Sequence, residues 1–581
     1  MSHGVQIPGV IPRPPGAREF TPRAVIAGML VAAVMGASYP YIVLKLGFGP
    51  NVSVVAAFFG YLSLGILFRN FNRWENNVVQ MAGTSAAQTA FMCVILAAFD
   101  FLRQSPTLGY TFAPTPLQAF LWLTAASILG LLLAVPLRRH YVVDEQLTYA
   151  DGVAAAETII VLDSRGKEAR NPAIALAIGT VASAVVMFVE QPWGGRLLPE
   201  VIIPTLFGLT AATAGAGVAV SLLGLGSGMI VGVRINFSML IGAILSWVIA
   251  PKILVSQGII SAPVRGEILR WVMWPGTAMI LCAGLTSLAL KWQTLSRTFT
   301  RLSGGSVDSG EFPLKWVGVG ASLATVALVV IQHVVFHVAW WMTLIAVALS
   351  APLMLVGLRV LGETNWGPIS QVTNLMQAIF AGLAPGNVTT NLSTSGTTGT
   401  IAVQSEAIMQ GYKTGEIIGS TPRFLTYAQL LAAPIGAAAV AYMYPLLKKT
   451  YGIGGEGLTS PISQRVAGFA EFLTRGGSAM GKGALEFAVL FGILGIVIAV
   501  LEPRWRRYLP SPTGLGIGMM VPGAVVFAMF LGGLVQLFWE KRSPQTAARL
   551  STPLASGLIA GEAIVAVIIP LLIAIGILSP Q

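Results

Sequence analysis

APGNVTTNLSTSGTTGTIAVQ (384–404) is a run of small and polar residues set between apolar runs at about 366–384 and about 423–445. Each flanking run can cross a bilayer, whose hydrocarbon core takes about 20 mostly apolar residues. The stretch between them is too hydrophilic for lipid, where an unpaired polar group finds no water. It must therefore line a cavity or lie inside protein, and the chain around it must be a membrane protein with a polar interior. The composition of the stretch predicts re-entrant or unwound backbone.

Further apolar runs of spanning length lie at about 24–44, 51–69, 76–99, 117–137, 172–190, 201–223, 228–250, 270–290, 314–334, 339–358, 484–501, 513–538 and 552–578. A shorter piece at 401–411 brings the expected total to about sixteen helices, which at about 22 residues each would use roughly 60% of the chain. The 581 residues are 55% hydrophobic and 10% charged, with 65 glycines and 34 prolines. That excludes a soluble protein and leaves no room for a sizeable extramembrane domain such as a nucleotide-binding module. Glycine and proline at this level predict close helix approach and broken helices. The fold class expected is all-α: a polytopic integral membrane protein with interrupted or re-entrant segments.

Two segments share a polar, small-residue texture, NNVVQMAGTSAAQTA (76–90) and NVTTNLSTSGTTGTIA (387–402). Their spacing suggests two related halves, 24–313 and 314–581, the second holding the region 384–404 and a loop at 447–483. Residues 1–23, Pro-rich at the start and without a cleavable signal, form an expected cytoplasmic N-terminal segment. With that end inside, about 20 Lys and Arg fall on the inner side and about 14 on the outer. The net charge of +12 is spread over loops, which fits contact with anionic lipid and argues against nucleic acid.

Ionisable groups at membrane depth are costly, so each is a functional candidate, with a buried structural pair as the alternative. The acidic candidates are Glu75, Asp151, Glu157, Glu406, Glu416 and Glu562. Glu75 opens WENNVVQ, where it could cap a helix or, with Asn76 and Asn77, form a site. Glu157 follows Asp151 in a short amphipathic element, as a solvated face or a gate. Lys413 and Glu416 could pair at i,i+3 or serve a cavity. Glu562 stands nearly alone in an apolar run, which favours ion coupling. Arg234, inside an apolar run, could hold a substrate carboxylate in two hydrogen bonds or be paired with a glutamate. Asn387, Thr389, Asn391 and Thr394 offer hydroxyls and amides to a polar ligand that must bind and leave.

Other signals are bland. His333 and His337 beside Trp340 and Trp341 read as an interfacial pair, and no metal site is expected. Cys93 and Cys282 lie in apolar runs and suggest neither disulfide nor metal. GGSAMGKG (476–483) has a phosphate-loop frame but carries Gly483 where Ser or Thr should hold magnesium. No aspartate run and no nucleophile–base set appear, so no catalytic residue and no cofactor is expected.

TPRAVIAGML (21–30), RWENNVVQMAGTSAA (73–87), LTYADGVAAAE (147–157), YKTGEIIGSTPRF (412–424), GLGIGMMVPGAVVFAMFLGGL (514–534) and PLASGLIAGEA (553–563) occur in the order seen in the oligopeptide transporter (OPT) family, which the chain resembles from roughly Thr21 to Ile577. The prokaryotic and yellow-stripe-like branch is the nearer one, since the Asn-Pro-Gly signature of the eukaryotic peptide branch is absent. NWGP (365–368) and APGN (384–387) are its nearest strings. The resemblance implies a secondary transporter of about sixteen helices in two related halves, importing small peptides, peptide-like compounds or metal chelates with protons. It lends weight to Glu75, Asn76, Asn77, Lys413, Glu416, Gly561 and Glu562.

The expected function is proton-coupled import by alternating access across the inner (cytoplasmic) membrane. Substrate binding is expected at Asn76, Asn77, Arg234, Asn387, Thr389, Asn391, Thr394 and Lys413, and proton coupling at Glu75, Glu157, Glu416 and Glu562. A passive channel, or a membrane enzyme acting on a lipid-linked or phosphorylated substrate, is the alternative. The expected partners are the substrate, protons and membrane lipid, with homodimerisation open.

Overall fold

Threonine and serine decide how the most polar segment folds. In the computed structural model of the chain, Val388–Ile418 is one unbroken helix of 31 residues. Its hydroxyls bond back to its own carbonyls: Thr394 to Thr390 O (2.7 Å), Thr397 to Ser393 O (2.9 Å), Thr400 to Gly396 O (2.8 Å) and Ser405 to Ile401 O (2.8 Å). Each such bond consumes a polar group that would otherwise need water. The expectation of re-entrant or unwound backbone at 384–404 is therefore corrected: past the Asn387 cap the segment is helical, and 401–411 belongs to the same helix. Nearly every residue of it is buried. It runs through the middle of the molecule, packed by the helices Arg73–Phe91, Pro116–Ala134, Ala150–Asp163, Trp340–Thr364 and Ile369–Leu383.

The structure describes residues 16–46, 52–68, 71–105, 109–163, 167–190, 205–206, 209–210, 220–290, 310–453, 460–474, 481–505 and 508–574. Among the described residues, ten helices are long and apolar enough to cross a membrane, with shorter apolar helices at Val52–Gly65, Ile174–Glu190 and Leu222–Val231. Leu314–Phe336 shows why these must meet lipid. Val319, Leu323, Val326, Val330 and Val334 form a stripe at helical spacing, each at least half exposed (50–65%). Ala484–Trp505 carries a similar stripe through Ile493, Val497 and Val500. The chain is an all-helical multi-pass membrane protein, apart from a two-residue strand pair at Thr205–Leu206 and Leu209–Thr210.

Broken helices are present, but not in the two segments of shared texture. Arg73–Phe91 is continuous, opened by an Asn72 capping box that closes on Glu75. One break falls at a glycine with positive φ and the other ahead of a proline. Gly232 (φ 90°) separates Leu222–Val231 from Val233–Ile244, and residues 519–522 separate Pro512–Gly518 from Gly523–Arg542. The two broken pairs lie against each other so closely that a Cβ on Gly228 would stand 1.9 Å from Met529 O, and one on Gly518 2.1 Å from Met239 O.

Two expected loops are more ordered than expected. The first helix starts at Pro22, and Glu19 ahead of it accepts from the Thr421 N–H (2.8 Å) and hydroxyl (2.7 Å) at the start of Pro422–Tyr451. Within 447–483, Pro461–Thr474 is a helix packed on Cys93–Gln104 and Ile369–Leu383. Arg165, Arg506, Arg507 and most of GGSAMGKG lie outside the described residues.

Candidate functional site

The helices that carry the two segments of shared texture meet, beyond residue 402 of the central helix. Trp74 Nε1 donates to Ile418 O (2.9 Å), Asn77 Nδ2 to the Ser420 hydroxyl (2.9 Å), and Gln404 Nε2 to Ser85 O (3.0 Å) and to the Thr89 hydroxyl. The seam between Arg73–Phe91 and Val388–Ile418 is thus polar along its length and wholly buried. Gln404→Leu removes the bonds to Ser85 O and Thr89, whose remaining side-chain contacts are then the Thr89 hydroxyl on Ser85 O (2.9 Å) and the long Ser127 contact on Thr89 (3.5 Å). We expect it to lower stability by about 1–3 kcal/mol, read as a drop in melting temperature in detergent.

Several buried amide oxygens around this seam have no hydrogen-bond partner among the described residues: Asn77 Oδ1, Gln80 Oε1, Gln429 Oε1 from Pro422–Tyr451, and Asn76 Oδ1, which faces Gly60 of Val52–Leu67 rather than the central helix. Buried polar atoms are normally paired, and a cluster of unpaired ones marks where water or a ligand belongs. Lys413 is only 3% exposed and has neither a hydrogen bond nor an ion pair among the described residues. Lys413 and Glu416 share a helix without forming the i,i+3 pair; Glu416 is instead bound by Arg138, which also holds Glu311. Burial pushes the Glu311 carboxyl up from the ordinary range, against the pull of Arg138.

The other candidates divide between engaged and free. Glu75, fully buried, accepts from Arg23 Nε and Nη2 (both 2.7 Å) and from the Thr21 hydroxyl (2.6 Å). Arg234 Nη2 lies 2.8 Å from Glu502 Oε1. Glu562 accepts from the Leu223 N–H (2.9 Å) and the Ser221 hydroxyl (3.3 Å), at the start of Leu222–Val231. Asn387 is exposed and caps the central helix through the Thr390 N–H (2.9 Å). Thr389 meets the Tyr110 hydroxyl (2.9 Å), Asn391 Nδ2 donates to Gln377 O (2.6 Å), and Thr394 bonds its own helix. Glu157, 7% exposed on Ala150–Asp163, has no partner among the described residues. The structure therefore joins Asn77 to the Lys413–Ser420 end of the central helix and leaves Arg234 and Glu562 on other elements.

Sequence reasoning missed two buried charge clusters. Arg359 bridges Glu145 (2.7 Å) and Glu363 (3.0 Å), and Glu363 in turn accepts from the Thr513 hydroxyl. Asp100 accepts from Lys448 (2.6 Å) and from the Tyr444 hydroxyl. Asp100 and Arg359 are visible as charges at the ends of apolar runs, each with one local partner in Arg103 and Glu363; the partners that complete the clusters, Lys448 and Glu145, lie 348 and 214 residues away. Among the described residues no cluster of His, Cys, Asp and Glu could hold a metal.

A lipid-facing helical bundle threaded by a polar, buried helix is a multi-pass membrane protein with a polar interior. The model of the OPT oligopeptide transporter protein family matches residues 19–573, and the chain belongs to that family. It is 26% identical over 631 aligned residues to the iron-phytosiderophore transporter yellow stripe 1 of Zea mays, covering 94% of this chain and 90% of that one. To the metal-nicotianamine transporter YSL2 of Arabidopsis thaliana it is 25% identical, covering 94% and 92%. A shorter match, 30% identical over 245 residues, covers 40% of this chain and 34% of YGL114W of Saccharomyces cerevisiae, which carries an oligopeptide-transporter name.

Proposed function

We propose that this protein imports small peptides or peptide-like metal chelates across the inner membrane, coupled to protons, by alternating access of two related halves built from about sixteen spans. The observation that carries the reading is Lys413, a residue only 3% exposed on the central helix. It has no hydrogen bond or close ion pair among the described residues, only Glu416 is near enough to feel its charge, and its helix meets the unpaired Asn77 oxygen. Peptides and amino-carboxylate chelates carry carboxylates that an ammonium would hold and amide or amine hydrogens that Asn76, Asn77 and Gln80 oxygens would accept. The printed names of the relatives favour the same two substrate classes. Alternating access would open the seam to one side at a time, with 24–313 moving against 314–581.

The test is uptake of labelled tripeptides and of iron–nicotianamine into proteoliposomes, with and without an inward proton gradient and with sodium varied separately. Accumulation above equilibrium that collapses with a protonophore is the expected result; uptake that only equilibrates would sink the coupled mechanism. Lys413→Met is expected to raise KM for a carboxylate-bearing substrate about tenfold or more, since a charge-assisted hydrogen bond contributes about 1.5–3 kcal/mol. An unchanged KM would remove Lys413 from the binding site.

A further inference from the structure

Glu406 sits two turns before Lys413 on the same face of the central helix, with Gln410 between them. It is 8% exposed, and its Oε1 is sealed from solvent without a hydrogen-bond partner. No ion pair reaches it among the described residues. Its surroundings are shaped to admit the carboxylate. A Cβ on Gly367 would stand 2.0 Å from Oε2, and one on Gly357 would lie 3.7 Å from Oε1. Gly367 thus keeps space for a group that no ion pair neutralises among the described residues, although an unpaired anion at such a depth costs several kcal/mol.

The charged and titratable groups on the elements around it are otherwise occupied. Tyr149, near enough to feel the Glu406 charge, donates its hydroxyl to Leu358 O (2.9 Å). Arg359 is held by Glu145 and Glu363, and Asp151 by Asn365 Nδ2 (2.7 Å) and Gln410 Nε2 (3.5 Å). Asp163, at the far end of Ala150–Asp163, pairs with Arg73 (2.7 Å), and Glu75 on Arg73–Phe91 pairs with Arg23. Ile369–Leu383 and Pro116–Ala134 bring no charge. Glu157 and Lys413 remain without partners, and Lys413 shares the Glu406 face.

We infer that Glu406 is the carboxylate that takes up and releases the coupling proton. This rests on the proton-coupled reading above. With a proton on Glu406 the buried face carries no isolated anion and can close. Loss of that proton leaves a carboxylate that must find water, which favours a state opened to one side. Lys413, about 10 Å along the helix, would report substrate to the same face. Glu75, Glu416 and Glu562 are less suited, because a cation or a helix start already holds each of them.

Wild-type protein and Glu406→Gln, each in proteoliposomes loaded with a pH-sensitive dye, are compared using trialanine and iron–nicotianamine as probes. The variant imitates the permanently protonated residue. It is expected to keep exchange of external for internal probe within about twofold, yet to lose stimulation by an inward proton gradient and probe-driven acidification of the lumen. If wild type and Glu406→Gln respond equally to the gradient, the assignment of Glu406 falls while proton coupling stands. If the wild type ignores the gradient, the coupled reading falls and this assignment with it. Should Glu406→Gln fail to fold, Glu406→Asp carries the test. Retained stimulation with a displaced pH midpoint supports the assignment, and an unmoved profile overturns it.

Discussion

Arg138→Met is expected to lower the unfolding free energy by about 3 kcal/mol at neutral pH, and by less as the pH falls. Arg138 is the shared cation for Glu311, just before Leu314–Phe336, and Glu416, near the end of the central helix. Its own side chain is 10% exposed, and the carboxylates are 20% and 26% exposed. The loss should therefore fall at the low end of what removing one member of a buried pair costs. Without the guanidinium two carboxylates that already sense each other lose their only bonded cation and keep just the more distant Arg139 and Lys413. The sign of the pH dependence follows from Glu311. Burial raises its folded value, so the folded state binds this proton more tightly than the unfolded chain does. That contribution is fully present below the ordinary carboxylate range and is lost as pH rises through the raised value. Removing Arg138 takes away the opposing pull and widens the window. Melting curves of wild type and variant in detergent should accordingly converge as the pH is lowered, and a constant gap would show that the arginine acts only by packing against Tyr412, whose ring centroid is 5.9 Å away. Adding Glu416→Gln should recover part of the loss, since the two groups form one network.

How far the sequence can be read differs sharply between surface and interior. Lipid-facing helices are legible because their requirement is one-body: Leu314–Phe336 and Ala484–Trp505 need only length and apolar side chains, and they coincide with the apolar runs at 314–334 and 484–501. The central helix is illegible by the same rule, since it is polar and yet helical. What makes it so is many-body. Trp122 Nε1 and Gln332 Nε2 both donate to the Thr397 hydroxyl (2.8 and 2.6 Å), and Ser350 meets Thr398 (2.8 Å). Those partners come from three other helices. The same holds for the charges. Arg234 presents two open readings in sequence because Glu502 is 268 residues away, and Arg138 shows no local sign of Glu311 or Glu416. Lys413 and Glu406 are visible as charges in a polar segment, but only the structure shows that no hydrogen bond or close ion pair reaches either among the described residues.

Gly561→Ala should damage the protein more than an added methyl group normally does, because the methyl has nowhere to go. A Cβ at this position would stand 2.0 Å from Thr180 O and 2.8 Å from Ala184 N, both backbone atoms of Lys167–Glu190. Backbone cannot rotate aside as a side chain can, so the two helices must separate. The contact continues one turn earlier, where Gly557 faces Leu176 O at 2.2 Å, and small residues at this spacing are how membrane helices approach closely. Overpacking of this kind costs about 1–3 kcal/mol or more. Separation would also pull on Ser183, whose hydroxyl donates to Leu558 O (2.6 Å) and accepts from the Glu562 N–H (3.1 Å). Glu562 would then leave the Ser221 hydroxyl and Leu223 N–H, so that the start of Leu222–Val231 keeps its Ser221 cap but loses this carboxylate. The expected outcome is a lower melting temperature together with impaired uptake. Gly318→Ala serves as the control: a Cβ there meets nothing within 4 Å, so neither quantity should fall. If Gly561→Ala behaved like Gly318→Ala, the close crossing of Lys167–Glu190 and Pro544–Ala574 would be wrong, and the placement of Glu562 at the start of Leu222–Val231 would lose its support.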